Sequence, residues 1–183
     1  NFKHYIHLHF LVFIAGFTAI LGELISVSSI SLVWHRMLIA SVLTLIYLIT
    51  SKTKISIDFK TLLKFSLPGL IIALHWITFF EAIEQSNISI TLAMFSTAAF
   101  FTSFIEPLLF RRRIIYYEIV MGLLVITGVY LITMAEILYL NGIILGIFSA
   151  FFSSLFSVFN GKLVKKYSPI TISFYEFLTG VIF

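Results

Sequence analysis

Polar residues in this chain are sparse and clustered, and apolar runs fill the space between the clusters. A membrane-crossing helix takes about 20 predominantly apolar residues. On that measure the pattern predicts helix one over roughly His9 to Ile25 and helix two over Ile30 to Thr50. Helix three is predicted from about Leu62 to Ile83, helix four from Ile88 to Phe110, and helix five from Ile114 to Met134. Helix six follows over about Leu138 to Asn160, and a seventh starts near Ile170 and runs into the last residue, Phe183. The runs do not alternate with the period of two that a transmembrane β-barrel requires. Helix one lacks an A-x-A-like cleavage site and ends at Gly22-Glu23, which separates it from a signal peptide.

Composition removes the soluble alternatives. Of 183 residues, 60% are hydrophobic and 11% charged, with 21 Phe and 8 Tyr, where a soluble domain carries about 25% charge. No soluble core hides that much apolar surface, so a soluble enzyme, a nucleic-acid binder and a disordered segment are excluded. The expected class is an all-α polytopic membrane bundle in contact with the lipid bilayer. The chain has no Cys and therefore no disulfide framework, thiolate metal site or cysteine nucleophile. Beginning at Asn1 and ending inside an apolar run, the sequence reads as part of a longer chain.

The formal charge of +4 changes the picture only through its placement. Lys3 precedes helix one, Lys52, Lys54, Lys60 and Lys64 follow helix two, Arg111, Arg112 and Arg113 follow helix four, and Lys162, Lys165 and Lys166 follow helix six. Eleven of the 12 basic residues thus fall on one side. The opposite connections, Ser26–Ser29, Glu84–Asn87 and Ala135–Tyr139, hold no Lys or Arg. Basic loops stay in the cytoplasm, which predicts a multi-pass protein of the inner (cytoplasmic) membrane with its N-terminus inside.

An internal repeat is also legible. The stretch Ile30-Ser31-Leu32-Val33-Trp34-His35-Arg36-Met37-Leu38 aligns with Ile170-Thr171-Ile172-Ser173-Phe174-Tyr175-Glu176-Phe177-Leu178. Gly22-Glu23-Leu24-Ile25 matches Gly161-Lys162-Leu163-Val164 with one residue of slippage. Helices six and seven therefore read as the start of a second copy. Five helices per copy is odd, so the second copy is inverted in the membrane, an arrangement on which many secondary transporters are built. The domain division predicted is 1–136 for the first repeat and 137–183 for the start of the second.

Several short motifs carry a resemblance. They are Gly22 at the end of helix one, Arg36 early in helix two, and Phe80-Glu81-Ala82-Ile83-Glu84-Gln85-Ser86-Asn87-Ile88-Ser89 at the turn into helix four. Helix five adds Gly122-Leu123-Leu124-Val125-Ile126-Thr127-Gly128-Val129-Tyr130-Leu131, and Ser168-Pro169 opens helix seven. In these the chain resembles the EamA-type branch of the drug/metabolite transporter superfamily. It departs from that pattern in having Ala99 where a mid-helix Pro is common, and Arg112-Arg113 where an acidic-basic pair follows helix four. The resemblance implies ten helices in two inverted five-helix repeats, about seven of them in this sequence. They would surround a central cavity and move small metabolites by alternating access.

Intramembrane charge is costly and marks candidate sites. Arg36 is the one basic residue outside the basic loops, and Glu81 and Glu23 lie in a similar slab of the membrane. Arg36 reads either as half of an ion pair with Glu81 or Glu23, as a snorkelling side chain, or as a cation for a substrate carboxylate or phosphate. His75 lies near the middle of helix three with Trp76 beside it and Phe79 one turn on. It is either a satisfied interhelical histidine or a titratable group of the pathway. Trp76 is packing bulk or a cavity wall, and Ser96 offers a hydroxyl within the small-residue stretch Ser96-Thr97-Ala98-Ala99. The substrate-pathway candidates are accordingly Arg36, His75, Trp76, Phe79, Glu81, Glu23 and Ser96. Glu106 and Glu118 beside Arg111–Arg113 predict a salt-bridge cluster, and Gly122 with Gly128 predicts close helix approach.

The spacing of His4, His7 and His9 does not converge on one helical face, and no catalytic motif appears, so no metal, cofactor or enzymatic activity is expected. The function expected is secondary transport of small organic metabolites, amino acids or related solutes, with efflux implied by the family resemblance. A proton is the candidate coupling ion and a homodimer the candidate assembly. The competing readings are a non-transporting membrane subunit and a membrane-embedded lipid-modifying enzyme.

Overall fold

The computed structural model describes residues 2–53 and 55–183, so Lys54 lies outside the described residues. The helices are α1 (Phe2–Glu23), α2 (Ser29–Thr50), α3 (Phe59–Gln85), α4 (Ile88–Phe95), α5 (Ala98–Phe110), α6 (Tyr116–Ala135), α7 (Leu140–Leu163) and α8 (Pro169–Ile182). A short 3-10 turn, Ile137–Tyr139, leads into α7. Six stretches are long and apolar enough to cross a membrane: α1, α2, α3, α4 with α5, α6, and the turn with α7. Helix α8 is apolar but spans 14 residues. This is the polytopic helical bundle that the apolar runs predict.

Local chemistry explains where the boundaries moved. Helix α1 begins seven residues before the predicted start, because the polar residues Lys3, His4 and His7 interrupt hydropathy without interrupting a helix. Helix α3 begins three residues early because Asp58 caps it: its Oδ2 accepts from the Thr61 backbone N–H at 3.2 Å and its Oδ1 from the Thr61 hydroxyl at 2.6 Å. The predicted helix four is broken at Ser96 and Thr97. There the Ser96 hydroxyl donates to the Ala93 carbonyl at 2.6 Å and the Thr97 hydroxyl to the Met94 carbonyl at 2.7 Å. Such back-bonding competes with the helical ladder and bends it. Ser154 of α7 donates to the Ala98 carbonyl at 2.8 Å, supplying a partner from outside the helix. The break lies next to Ala99, and two hydroxyls do there what the missing proline would have done.

Helix α3 is the centre of the bundle. It packs lengthwise on α7 and α8 and also meets α1, α2 and α4. Small residues permit the closest approaches. A Cβ on Gly69 would lie 2.7 Å from the Glu176 carbonyl oxygen, so α3 and α8 touch backbone to backbone. A Cβ on Gly146 of α7 would lie 2.8 Å from Met94 Cβ on α4. Gly122 packs on Phe100 in the same way, but Gly128 faces open space, and the expectation that both glycines serve close packing holds for Gly122 alone. Helix α1 is the outlier, with Ala19 as its one fully buried residue among those described.

The bundle is electrically two-ended. At one end the Tyr175 hydroxyl donates to the Ile55 carbonyl at 2.9 Å, and Lys165 Nζ lies 4.5 Å from the Phe110 ring centroid. These contacts gather the α2–α3, α5–α6 and α7–α8 connections, with their lysines and arginines, at a single basic end. The other end joins the starts of α2 and α4 to the last turn of α3 and holds Glu23, Glu81 and Glu84. The Trp34 indole donates to the Val181 carbonyl at 3.1 Å, so the start of α2 meets the end of α8. Those two helices run antiparallel.

Candidate functional site

At the acidic end the first residue of α2, Ser29, is 1% exposed. Its Oγ lies 2.8 Å from Glu81 Oε2 and 2.7 Å from Glu84 Oε1. One hydroxyl carries one proton, so it donates to one carboxylate at a time and the two acids share it. The Gln85 amide donates to the other Glu81 oxygen at 2.8 Å. Glu81 and Glu84 lie three apart on α3, which puts both on one face. Beside them Glu23, Gly22, Ser28 and Ser86 line a cleft of about 450 Å³.

Arg36 stands deeper on α2. Its guanidinium carbon is 4.9 Å from the Trp76 ring centroid and 5.0 Å from that of Phe80. Trp76 and Phe80 lie four residues apart on α3 and so present both rings to α2. Trp76 in turn stacks on Phe177 of α8, with centroids 6.1 Å apart and planes 18° apart. The ion pair with Glu81 or Glu23 is not formed: among the described residues the salt bridges are those of Arg112. Glu81 is engaged by Ser29 and Gln85, and Arg36 rests instead on two aromatic faces, a desolvated cation–π arrangement worth about 2 kcal/mol. The side chain is half-buried, and its N–H groups make no hydrogen bond among the described residues.

His75 occupies a separate, drier site. It is 8% exposed, and its Nδ1 lies 3.0 Å from both the Ser149 carbonyl and the Ser149 hydroxyl on α7. The Ser149 hydroxyl donates to the His75 carbonyl at 3.3 Å. The imidazole packs between Phe79, 5.9 Å away, and Phe95, 5.5 Å away. Through its bonds with Ser149, His75 ties α3 to α7. Ser96 is exposed, with its hydroxyl bonded to Ala93.

The seven candidates therefore divide. Arg36 and Trp76 form one cluster, His75 and Phe79 a second, Glu23 lines the acidic cleft, Glu81 is held beside it by Ser29 and Gln85, and Ser96 marks the helix break. Sequence reasoning passed over two residues. Ser29 reads as an ordinary helix-start serine, and its carboxylate partners are 52 and 55 residues away. Glu176 is 2% exposed, and its Oε1 has no hydrogen-bond partner among the described residues. The signal was in the repeat, which sets Glu176 opposite Arg36. At the basic end Arg112 Nε bonds Glu106 at 3.1 Å and Nη2 bonds Glu118 at 3.2 Å. Its guanidinium is held above its usual range first by the bond to Glu106 and then by that to Glu118, which makes it the clasp expected there.

Among the described residues no three His, Cys, Asp or Glu side chains stand close enough to hold a metal ion. What the geometry provides is a cation on aromatic faces, a polar cleft above it and rings lining the seam between helices. Such groups can receive and orient an organic anion. Compared with known proteins, residues 4–134 match the family model described as the EamA-like transporter family. No curated protein and no solved structure matches the chain.

Proposed function

Because the chain belongs to the EamA-like transporter family, a family of membrane transporters, we propose that it moves small organic metabolites bearing a carboxylate or phosphate by alternating access. Amino acids and related solutes are the substrate class, efflux is the direction, and the proton is the coupling ion. The basic end faces the cytoplasm, with the N-terminus on that side. The observation that supports this reading is Arg36: a half-buried cation inside the bundle, unpaired with any carboxylate among the described residues, on a platform formed by Trp76 and Phe80. An unpaired charge in the membrane interior is expensive, and an anionic solute would offset that cost. His75 supplies the titratable group.

The test is uptake of a panel of labelled amino acids into proteoliposomes containing the protein, with and without a pH gradient. Arg36→Ala is expected to abolish uptake, and Arg36→Lys to keep a fraction of it, since an ammonium retains the charge without the planar fork. His75→Gln keeps hydrogen bonding and is expected to flatten the pH dependence. Normal uptake by Arg36→Ala would overturn the anion reading. Uptake by His75→Gln that follows pH like the unaltered protein would remove the histidine from coupling.

A further inference from the structure

The basic end carries a groove of about 550 Å³ between α3 and α7 that the transport reading does not use. Its floor is apolar, formed chiefly by Leu67 of α3 and Phe159 of α7, and its rim holds Lys60, Lys64, Lys162 and Lys166. Lys60 and Lys64 lie four residues apart on α3, which brings them onto one face with Cβ atoms about 5–6 Å apart, while Lys162 stands in the last turn of α7 and Lys166 in the turn that follows it. All four are exposed, and none forms an ion pair among the described residues. Of the acids at this end, Glu106 and Glu118 are held by Arg112, and Asp58, outside the groove lining, accepts from Thr61 and attracts Lys64 without forming an ion pair with it.

Four like charges around an apolar floor repel one another, and an anion placed among them relieves that repulsion. A free phosphate would answer the charge and leave the floor unmatched. From the groove a stripe of exposed leucines continues along α3: Leu63 (56% exposed), Leu67 (50%), Leu70 (39%) and Leu74 (37%). Its spacing of four, three and four keeps it on one helical face. Eleven residues rise about 16 Å, roughly half of a 30 Å hydrocarbon core and so the depth of one leaflet. Basic pockets between transmembrane helices recognise anionic headgroups, and here the pocket opens onto a path for the attached chain.

We propose that this groove is a binding site for an anionic phospholipid, with the phosphate among Lys60, Lys64, Lys162 and Lys166 and an acyl chain along the Leu63–Leu74 stripe. The site is independent of the transported solute.

Native mass spectrometry of the purified protein with added dioleoyl phosphatidylglycerol or dioleoyl phosphatidylcholine tests it. The protein is expected to retain the glycerol lipid and not the choline lipid. Each lysine near a charged surface is worth about fivefold. The Lys162→Gln/Lys166→Gln pair should therefore weaken retention about 25-fold, and all four Lys→Gln changes by about 600-fold. Replacing all four by Arg should preserve retention and certify the fold. Removing four other charges from the same end (Lys52, Arg111, Arg113 and Lys165, each to Gln) should leave it near the unaltered level. Equal loss in that control, or equal retention of the choline lipid, would reduce the site to general surface attraction and overturn the proposal. Displacement by millimolar glycerol phosphate would reduce it to a phosphate site. A dimer lost with the same lysines, and no bound lipid, would give the groove to a second copy.

Discussion

Asp58 shows how much one side chain decides at the rim of a membrane bundle. It starts α3, the helix on which the others pack, by accepting two hydrogen bonds from Thr61. Those bonds, the hydroxyl's first, hold its carboxyl below the usual aspartate range despite partial desolvation. A folded-state value below the unfolded one of about 3.9 gives a contribution that is complete above that pH. It is lost as pH falls through the lower, folded value. Protection of the Thr61 and Leu62 amides against hydrogen exchange, taken relative to the intrinsic rate at each pH, should accordingly fall on acidification below about pH 4 in the unaltered protein. In Asp58→Ala that protection should be low at every pH, and high protection in that variant would show that the first turn needs no cap. Arg36 teaches a different lesson at the same scale. Its oddity as a lone basic residue is plain in the sequence, but its surroundings are not. Glu81 looked like its partner because both sit at similar depth, yet depth carries no information on which face each helix turns. Ser29 and Gln85 occupy Glu81, and the rings of Trp76 and Phe80 were left for the guanidinium.

Elements were read well where hydrophobicity alone makes them and poorly where hydroxyls decide. The apolar runs located every span, since twenty apolar residues have few alternatives in lipid. They could not reveal the break between α4 and α5. Ser96 and Thr97 are ordinary in a helix until their hydroxyls turn back onto Ala93 and Met94 and Ser154 takes the Ala98 carbonyl. Glycines show the same dependence on neighbours. Gly69→Ala drives a methyl against the α8 backbone at Glu176 and is expected to destabilise the protein by about 1–3 kcal/mol. Gly128→Ala adds a methyl in open space and should stabilise α6 by about 0.5–1 kcal/mol. Unfolding of the two variants by sodium dodecyl sulfate in mixed micelles should shift in opposite directions. Shifts of the same sign would mean that α3 and α8 do not meet as described.

The whole molecule is polarised, with the loop lysines and arginines gathered at one end and none in the connections at the other, and that polarity is visible in the loops of the sequence. Because the chain has no Cys, single cysteines report orientation without background. A cysteine replacing Gln85 at the acidic end should react with an impermeant maleimide added to intact cells, and one replacing Thr53 should react only after lysis. The reverse pattern would invert the proposed topology. Glu176 was the least legible part at this scale. It stands opposite Arg36 in the repeat, but its burial depends on α3 lying against α8, a pairing of segments about a hundred residues apart in the chain.

The bond between His75 and Ser149 has a consequence in time. The two residues are 74 positions apart, and a ribosome adding about 5–20 residues per second needs about 4–15 s to cover that distance. Throughout that interval α3 already exists and the carbonyl its imidazole will meet does not. A polar ring that must find a partner in hydrocarbon is therefore made well before the partner is. The central helix of the bundle has to be sheltered by the insertion machinery, or to wait at its edge, until α7 arrives.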